Sequence, residues 1–533
     1  MPTNCISFKE TNYFSSLICD YLDEKEALKS FYNRFPKLEN FKAQIEEKQS
    51  AFNSDSRAVL VQALNKQYQN SVVSKATQTH INLLKNTNTF TVVTGHQLNI
   101  FTGPLYFFYK IISTINLCKT LKAQYPDFDF VPIYWMASED HDFDEINFFN
   151  FKGKKLQWNR HASGIVGDLD LEGLDQVFKV FGSQLNGTTN ASELKHYFKK
   201  AYLNHSNLTE AMHDLVNELF KDYGLVIVDG NDKTLKRQFV PYIKNELISK
   251  TSFSKVSEAN NQLNSLETNY KIQVNPREIN LFYISEGIRE RIIEKDEVYY
   301  VNNTDISWNS SELIKHLDEV PERFSPNVIM RPLYQEVVLP NLCYIGGGGE
   351  LAYWLQLKSF FESQNVPFPM LLLRNSALLI TEKQKEKLSK LDVQISDLFL
   401  KQNDLKTKIT KQISEIEIDF SEQKEYLRQQ FKALHDLAEK TDGSFKGAVA
   451  AQEQKQINGL AHLEKRLLKA QKRKLSDHIN RVVAIQNELF PNKSLQERYT
   501  NFSEFYLEHG SGFIPKLVDN LEPLQGEFSI ITL

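Results

Sequence analysis

The sequence predicts an α/β fold: a parallel, nucleotide-type sheet joined to a long antiparallel helical hairpin. Three observations carry this reading. Residues 90–147 run as strand, glycine turn, helix, strand and acidic loop, which is half of a parallel nucleotide-type unit. Further short apolar runs end in polar residues at 225–230, 343–349 and 369–376, as buried parallel strands do. From Thr381 onward the composition turns to Lys, Glu and Gln, with apolar residues every three or four positions.

Taken in order, residues 1–85 read as helices, with Leu17, Ile18, Tyr21 and Leu22 on one face and Val59, Leu60, Ala63 and Leu64 on another. Phe90–Val93 is the first core strand and breaks into a turn at Thr94-Gly95-His96-Gln97. After Thr102-Gly103-Pro104, a helix starts at Leu105 and continues to about Leu121. Val131–Met136 is the second strand, and it ends in Ser138-Glu139-Asp140-His141-Asp142-Phe143-Asp144-Glu145. These first elements occupy 1–150. Residues 151–222 read as a connecting insertion, and 223–254 return to the core with the strand Leu225–Val228 and a helix from Lys233. Residues 255–326 form a second insertion with strands at Glu278–Ser285 and Val298–Asn302, separated by the charged Arg289-Glu290-Arg291. Residues 327–380 complete the core, with Arg331 and Arg374 expected to follow strands and a helix opening near Glu350. Residues 381–490 form the hairpin, two arms of roughly 60 Å each at ~1.5 Å per residue, turning at Thr441–Ser444. Residues 491–533 return as a tail over the core.

Composition narrows the function classes. A chain of 533 residues can bury a large core and divide into several domains. The net charge of −4 argues against nucleic acid as the main partner. No apolar run approaches the ~20 residues of a membrane span, and Met1–Tyr21 lacks the basic-then-apolar pattern of a signal peptide. Cys5, Cys19, Cys118 and Cys343 are scattered with no CxxC pair, so neither a zinc site nor a disulfide framework is indicated. A cytoplasmic enzyme is the expectation.

Candidate chemistry gathers at the strand ends. Gly95 lets the backbone approach a ligand, and helix-start amides there favour an anion. His96 could donate to a phosphate or carboxylate, and Gln97 could orient a carbonyl or amine. Five carboxylates around His141 need a cationic counterpart, for which an amine-bearing substrate is simpler than a metal. The same carboxylates would make His141 a candidate acid or base. Gly346–Gly349 suggest a backbone cradle, without the spacing of a P-loop or dinucleotide fingerprint. Arg331 and Arg374 are candidate clamps for carboxylate or phosphate.

The strings TGHQLNIFTGPLYFFYK, SEDHDFDEIN, ERFSPNVIMRPLYQE and YIGGGGELAYW, followed by the helical hairpin, resemble the bacillithiol-biosynthesis cysteine-adding enzyme family across the whole chain. Members typically carry Gly-Gly-Pro-Gly where this chain has Gly346–Gly349, and often Gln at the position of His96. The resemblance implies a Rossmann-like core with two connecting insertions, a coiled-coil domain and a homodimer. It implies a reaction that joins the carboxyl of cysteine to the amine of glucosaminyl-malate, with ATP or ADP as the nucleotide. The candidates for catalysis are Asp140, His141, Asp142 and His96, with Asp140 or His141 removing a proton from the amine. The candidates for substrate binding are Gly95, Gln97, Asn99, Thr102, Gly103, Glu139, Arg331, Tyr334, Gln335, Gly347, Gly348, Gly349 and Glu350. Two other readings stand beside this one: a nucleotidylyltransferase acting on another acceptor, and a non-catalytic coiled-coil scaffold.

Overall fold

The computed structural model describes residues 4–533. The apolar runs form five parallel strands: β1 (Thr89–His96), β2 (Asp129–Met136), β3 (Val226–Asp229), β4 (Asn341–Gly346) and β5 (Met370–Leu373). Their order across the sheet is β3-β2-β1-β4-β5. β1 pairs with β2 from Thr89 opposite Asp129 to His96 opposite Met136, and with β4 through Tyr344 opposite Val93. Every residue of β1 is buried, as a strand covered on both faces requires. Helix α1 (Tyr106–Gln124) follows β1; Leu117 and Leu121 pack with Phe90, Val92, Phe130, Leu342 and Ile345 in the core.

Strand order reverses between β1 and β4. In open α/β sheets the crevice at such a reversal, outside the carboxyl ends of the strands, is where ligands bind.

Three expectations for the first compact unit change. β1 extends three residues beyond Val93, so Gly95 and His96 are strand rather than turn; β2 continues opposite them and keeps the ladder going. The charged Arg289-Glu290-Arg291 does not separate strands but lies inside one, Ile288–Lys295, in an antiparallel sheet with Leu281–Ser285, Val298–Val301, Ser307–Asn309 and Phe324–Pro326. A half-exposed antiparallel strand tolerates charge that a buried parallel one would not. Arg331 sits in the first turn of helix α2 (Met330–Val338), which Asn327 opens by accepting from the Ile329 and Met330 amides.

The C-terminal residues pack on the core. Tyr506, Phe513, Ile514 and Leu517 are buried, and Asn116 of α1 donates to the Val518 and Leu521 carbonyls.

The second compact unit comprises mainly residues 379–493. Its antiparallel hairpin is α4 (Ser421–Ala438) and α5 (Gly443–Lys474), closed around Phe431, Ala438 and Val449. Asp442 caps α5 by accepting from the Ser444 and Phe445 amides. The 32 residues of α5 give an arm of about 48 Å. The expected unbroken first arm is instead divided into Glu382–Lys390, Gln402–Ile413 and α4. Ser414 and Asp419 accept from the Ile416 and Ser421 amides, and such local bonds compete with the helical ladder. Among the described residues no helix is long and apolar enough to cross a membrane.

Candidate functional site

A pocket of about 670 Å³ opens at the strand-order reversal. The ends of β1, β2 and β4 form its floor, and residues 274–291 and 326–328 form its opposite wall. Of the predicted site residues, Gly95, His96, Gln97, Glu139, Asp140, His141, Asp142, Arg331 and Glu350 line it together.

The floor is a charged network. Lys110 reaches up from α1, donates to the Gly95 carbonyl at 2.6 Å and pairs with Glu350 at 2.6 Å. Glu350 also accepts from the Tyr344 hydroxyl at 2.6 Å and from the Gly347 amide at 2.8 Å. Burial pushes the Glu350 carboxyl up, but the Lys110 charge and these hydrogen bonds outweigh it and hold it below its usual range. Gly95 matters for space: a Cβ there would lie 3.3 Å from the Tyr344 hydroxyl and 3.8 Å from an Arg331 nitrogen.

His96 is neutral. Its Nδ1 donates to the Gln97 carbonyl at 3.0 Å, and its ring stacks on Tyr106. Burial, helped by the Lys110 charge, lowers its pKa to about 3. An imidazole of such low basicity suits hydrogen bonding better than proton transfer. Its Nε2 is a buried acceptor without a partner, and Arg331 Nη2 is a buried donor without one.

The acidic loop is fixed from several directions. Gln97 donates to Asp140 and to Glu145, each at 2.8 Å, and Asn99 donates to the Glu145 carbonyl at 2.9 Å. The Val166 and Gly167 amides donate to the Asp140 and Ser138 carbonyls at 2.6 and 2.9 Å. Burial raises the Asp140 carboxyl, yet bonds from His141 and Gln97 and the nearby Arg289 charge bring it well below the usual carboxylate range. Asp140 is thus held as an anion by its neighbours. Glu139 pairs with the buried Lys236. Behind the loop, Asp229 accepts from Ser138, and burial raises its pKa to about 6.

Arg289 enters from the opposite wall. Its guanidinium lies over the Phe282 ring at 4.0 Å and donates to His141 Nδ1 at 2.6 Å. It supplies part of the positive charge that the carboxylates of the loop require.

Several candidates lie outside the pocket lining. Asn99 is tied to the Glu145 carbonyl. Thr102 and Gly103 belong to a tight turn with positive φ, tied down by Asn501, which donates to the Phe101 and Gly103 carbonyls. The Tyr334 hydroxyl donates to the Gly230 carbonyl, and Gln335 accepts from Arg331 at 3.1 Å, so these two support the site from behind. The expected glycine cradle is absent from the lining. Gly347 gives its amide to Glu350, and Gly348 opens helix α3 (Gly348–Trp354) close against Ile18, where a Cβ would come to 3.4 Å. Arg374 pairs with the buried Glu497 at 2.8 Å.

Sequence reading missed Tyr106, Lys110, Arg277, Arg289, Arg291, Tyr344 and Tyr353, all of which line the pocket. Lys110 carried a signal: a lysine within the buried face of a core helix needs a partner. Arg289 and Arg291 point to the same strand face at spacing two, a pattern hidden once the run is read as a separator.

Comparison with known proteins places this arrangement in context. Residues 1–375 match the family model for the bacillithiol biosynthesis BshC N-terminal Rossmann-like domain, and residues 377–533 match that for its C-terminal coiled-coil domain. The chain is 59% identical over 536 residues to a Christiangramia forsetii protein, spanning 100% of this chain and 99% of the relative. It is 57% identical over 533 residues to one from Flavobacterium johnsoniae, covering 100% of each. A Bacillus cereus relative is 28% identical over 539 residues, covering 97% of this chain and 98% of its own. All three carry the name "Putative cysteine ligase BshC". With both domain models matched end to end, the chain belongs to the BshC family of bacillithiol biosynthesis.

Proposed function

We propose that this protein is a cysteine ligase that joins the carboxyl of L-cysteine to the amine of glucosaminyl-malate, the last step of bacillithiol biosynthesis, with ATP activating the carboxyl. The observation that carries the reading is the pairing of opposite charges in one pocket: Glu139, Asp140 and Asp142 on one side, Arg277, Arg291 and Arg331 on others. A substrate with an ammonium at one end and two carboxylates at the other matches such a lining. The volume, about 670 Å³, falls within the ~300–1,000 Å³ of small-molecule sites.

In this reading Asp140, a fixed carboxylate, holds the amine-bearing sugar. Arg331, which lines the pocket, takes a carboxylate or phosphate oxygen. ATP supplies an acyl-adenylate or acyl-phosphate, and the closed floor around Lys110 and Glu350 keeps the reacting carbonyl away from bulk water. The homodimer forms through the hairpin, where Tyr426, Leu434 and Leu437 are exposed at helical spacing.

Purified protein incubated with cysteine, glucosaminyl-malate and ATP is expected to release a thiol with the mass of the two substrates less one water. Consumption of ATP with cysteine, but equal turnover of unrelated amines, would overturn the acceptor. Pyrophosphate exchange into ATP without cysteine or glucosaminyl-malate would favour a nucleotidylyltransferase instead.

A further inference from the structure

His141 lines the pocket, and its ring nitrogens are unequal. Arg289 Nη1 lies 2.6 Å from Nδ1. A guanidinium has only hydrogens to offer, so Nδ1 must present its lone pair, and the single proton of a neutral imidazole then sits on Nε2. Phe282 holds this geometry, with the Arg289 guanidinium 4.0 Å above its ring and the His141 ring 5.5 Å away. Arg289 is further tied to the Pro326 carbonyl at 3.5 Å and to Ser325 at 3.4 Å. The charged groups facing His141 are Arg289 from the opposite wall and, from its own loop, Asp140 at 3.7 Å and Asp142 at 4.0 Å.

We propose that His141 serves the reaction as a fixed hydrogen-bond donor through Nε2–H, and that Arg289 is the positioning residue that sets this tautomer. The inference rests on the ligase reading above. In that reaction the amine nitrogen attacks the carbonyl carbon of cysteine activated by a nucleoside triphosphate. The C–N bond forms, negative charge develops on the carbonyl oxygen, and the C–O bond to the phosphate leaving group then breaks. The ammonium gives one proton to solvent before the attack, which frees the nitrogen lone pair, and the nitrogen gives a second to solvent once the C–N bond has formed. Nε2–H donates to the carbonyl oxygen as its charge develops, and a base with no free lone pair has no part in the step. The second insertion therefore decides the chemistry of a residue carried by the core sheet.

The test is NMR of the full chain labelled with ¹⁵N-histidine, with the His141 signal assigned by its loss in His141→Gln. The expected result is an unprotonated Nδ1 and a protonated Nε2 in the native protein, and a mixture of tautomers in Arg289→Gln. A protonated Nδ1 in the native protein, or no change in Arg289→Gln, would overturn the proposal. In the ligase assay, His141→Ala is expected to lower kcat by about 10²–10³-fold, while His141→Gln, which keeps an N–H near the Nε2 position, recovers at least about tenfold of that. Equal loss in both variants, with both folded by circular dichroism, would also overturn it. Absence of product from the native protein, with the tautomer as expected, would instead refute the ligase reading and leave the Arg289–His141 arrangement standing.

Discussion

Lys110 and Glu350 form an ion pair of 2.6 Å beneath the pocket, with the lysine side chain 4% exposed and the glutamate 26% exposed. The two residues come from different helices, α1 and α3, so the pair ties together the two halves of the sheet at the place where strand order reverses. Burial lowers the Lys110 pKa, and Glu350 opposes that shift.

Removing one partner should cost more than removing both. Glu350→Gln leaves Lys110 with neutral acceptors only, and an uncompensated buried charge destabilises by roughly 3 kcal/mol. Lys110→Met leaves Glu350 its bonds from Tyr344 and Gly347 and should be milder. Denaturant unfolding of the single and double variants checks this; an additive double variant would show that the pair has no coupling.

Asp140→Asn should weaken binding of the amine substrate. A hydrogen bond to a charged group contributes about 1.5–3 kcal/mol, so KM for the aminosugar should rise roughly 10–100-fold. KM for cysteine should change little. Steady-state kinetics with each substrate varied in turn decides it.

Asp229 predicts a stability effect that depends on pH. Its folded pKa of about 6 lies above the ~3.9 of an unfolded aspartate, so the folded state binds the proton more tightly. Stability from this group is complete below about pH 4 and falls as pH rises through about 6, by up to about 3 kcal/mol. Asp229→Asn should therefore raise Tm relative to the native protein more at pH 8 than at pH 5. Thermal melts at the two pH values measure the difference.

Gly167 is closely packed: a Cβ would meet Thr209 Oγ1 at 2.4 Å and the Ser138 carbonyl at 2.8 Å. Gly167→Ala should destabilise by about 1–3 kcal/mol and lower activity beyond the loss of folded protein, because it displaces the acidic loop. Activity per folded molecule, compared with the midpoint of unfolding, separates the two effects.

The proposed dimer predicts that Leu434→Asp with Leu437→Asp, which places charge on the exposed face of α4, gives a monomer where the native protein is a dimer. Sedimentation equilibrium reads both masses: a monomeric native protein would refute the dimer, and a variant that stays dimeric would locate the interface elsewhere.

Much of the core was legible because buried parallel strands are short apolar runs with polar ends, and 90–93, 131–136, 225–228 and 370–373 have that form. Asp140 and His141 were found because charge crowded at a strand end is conspicuous. The opposite wall was not legible. Arg289 acts on His141 across 148 positions of chain, a relationship that periodicity does not encode. The glycine run misled for a local reason: its amide was already claimed by Glu350 three residues later. The helical arm was overestimated because spacing at three or four residues does not register serines and aspartates that bond to their own backbone.

The Val166 and Gly167 amides that hold the Asp140 and Ser138 carbonyls come from the segment between β2 and β3, well outside the sheet. A trimmed version of the enzyme, reduced to its parallel strands and their helices, would leave those two carbonyls without donors and the acidic loop held through its side chains alone. What looks like decoration between strands is thus scaffolding for the site, and miniaturising this protein would have to replace two backbone N–H groups before it could replace any side chain.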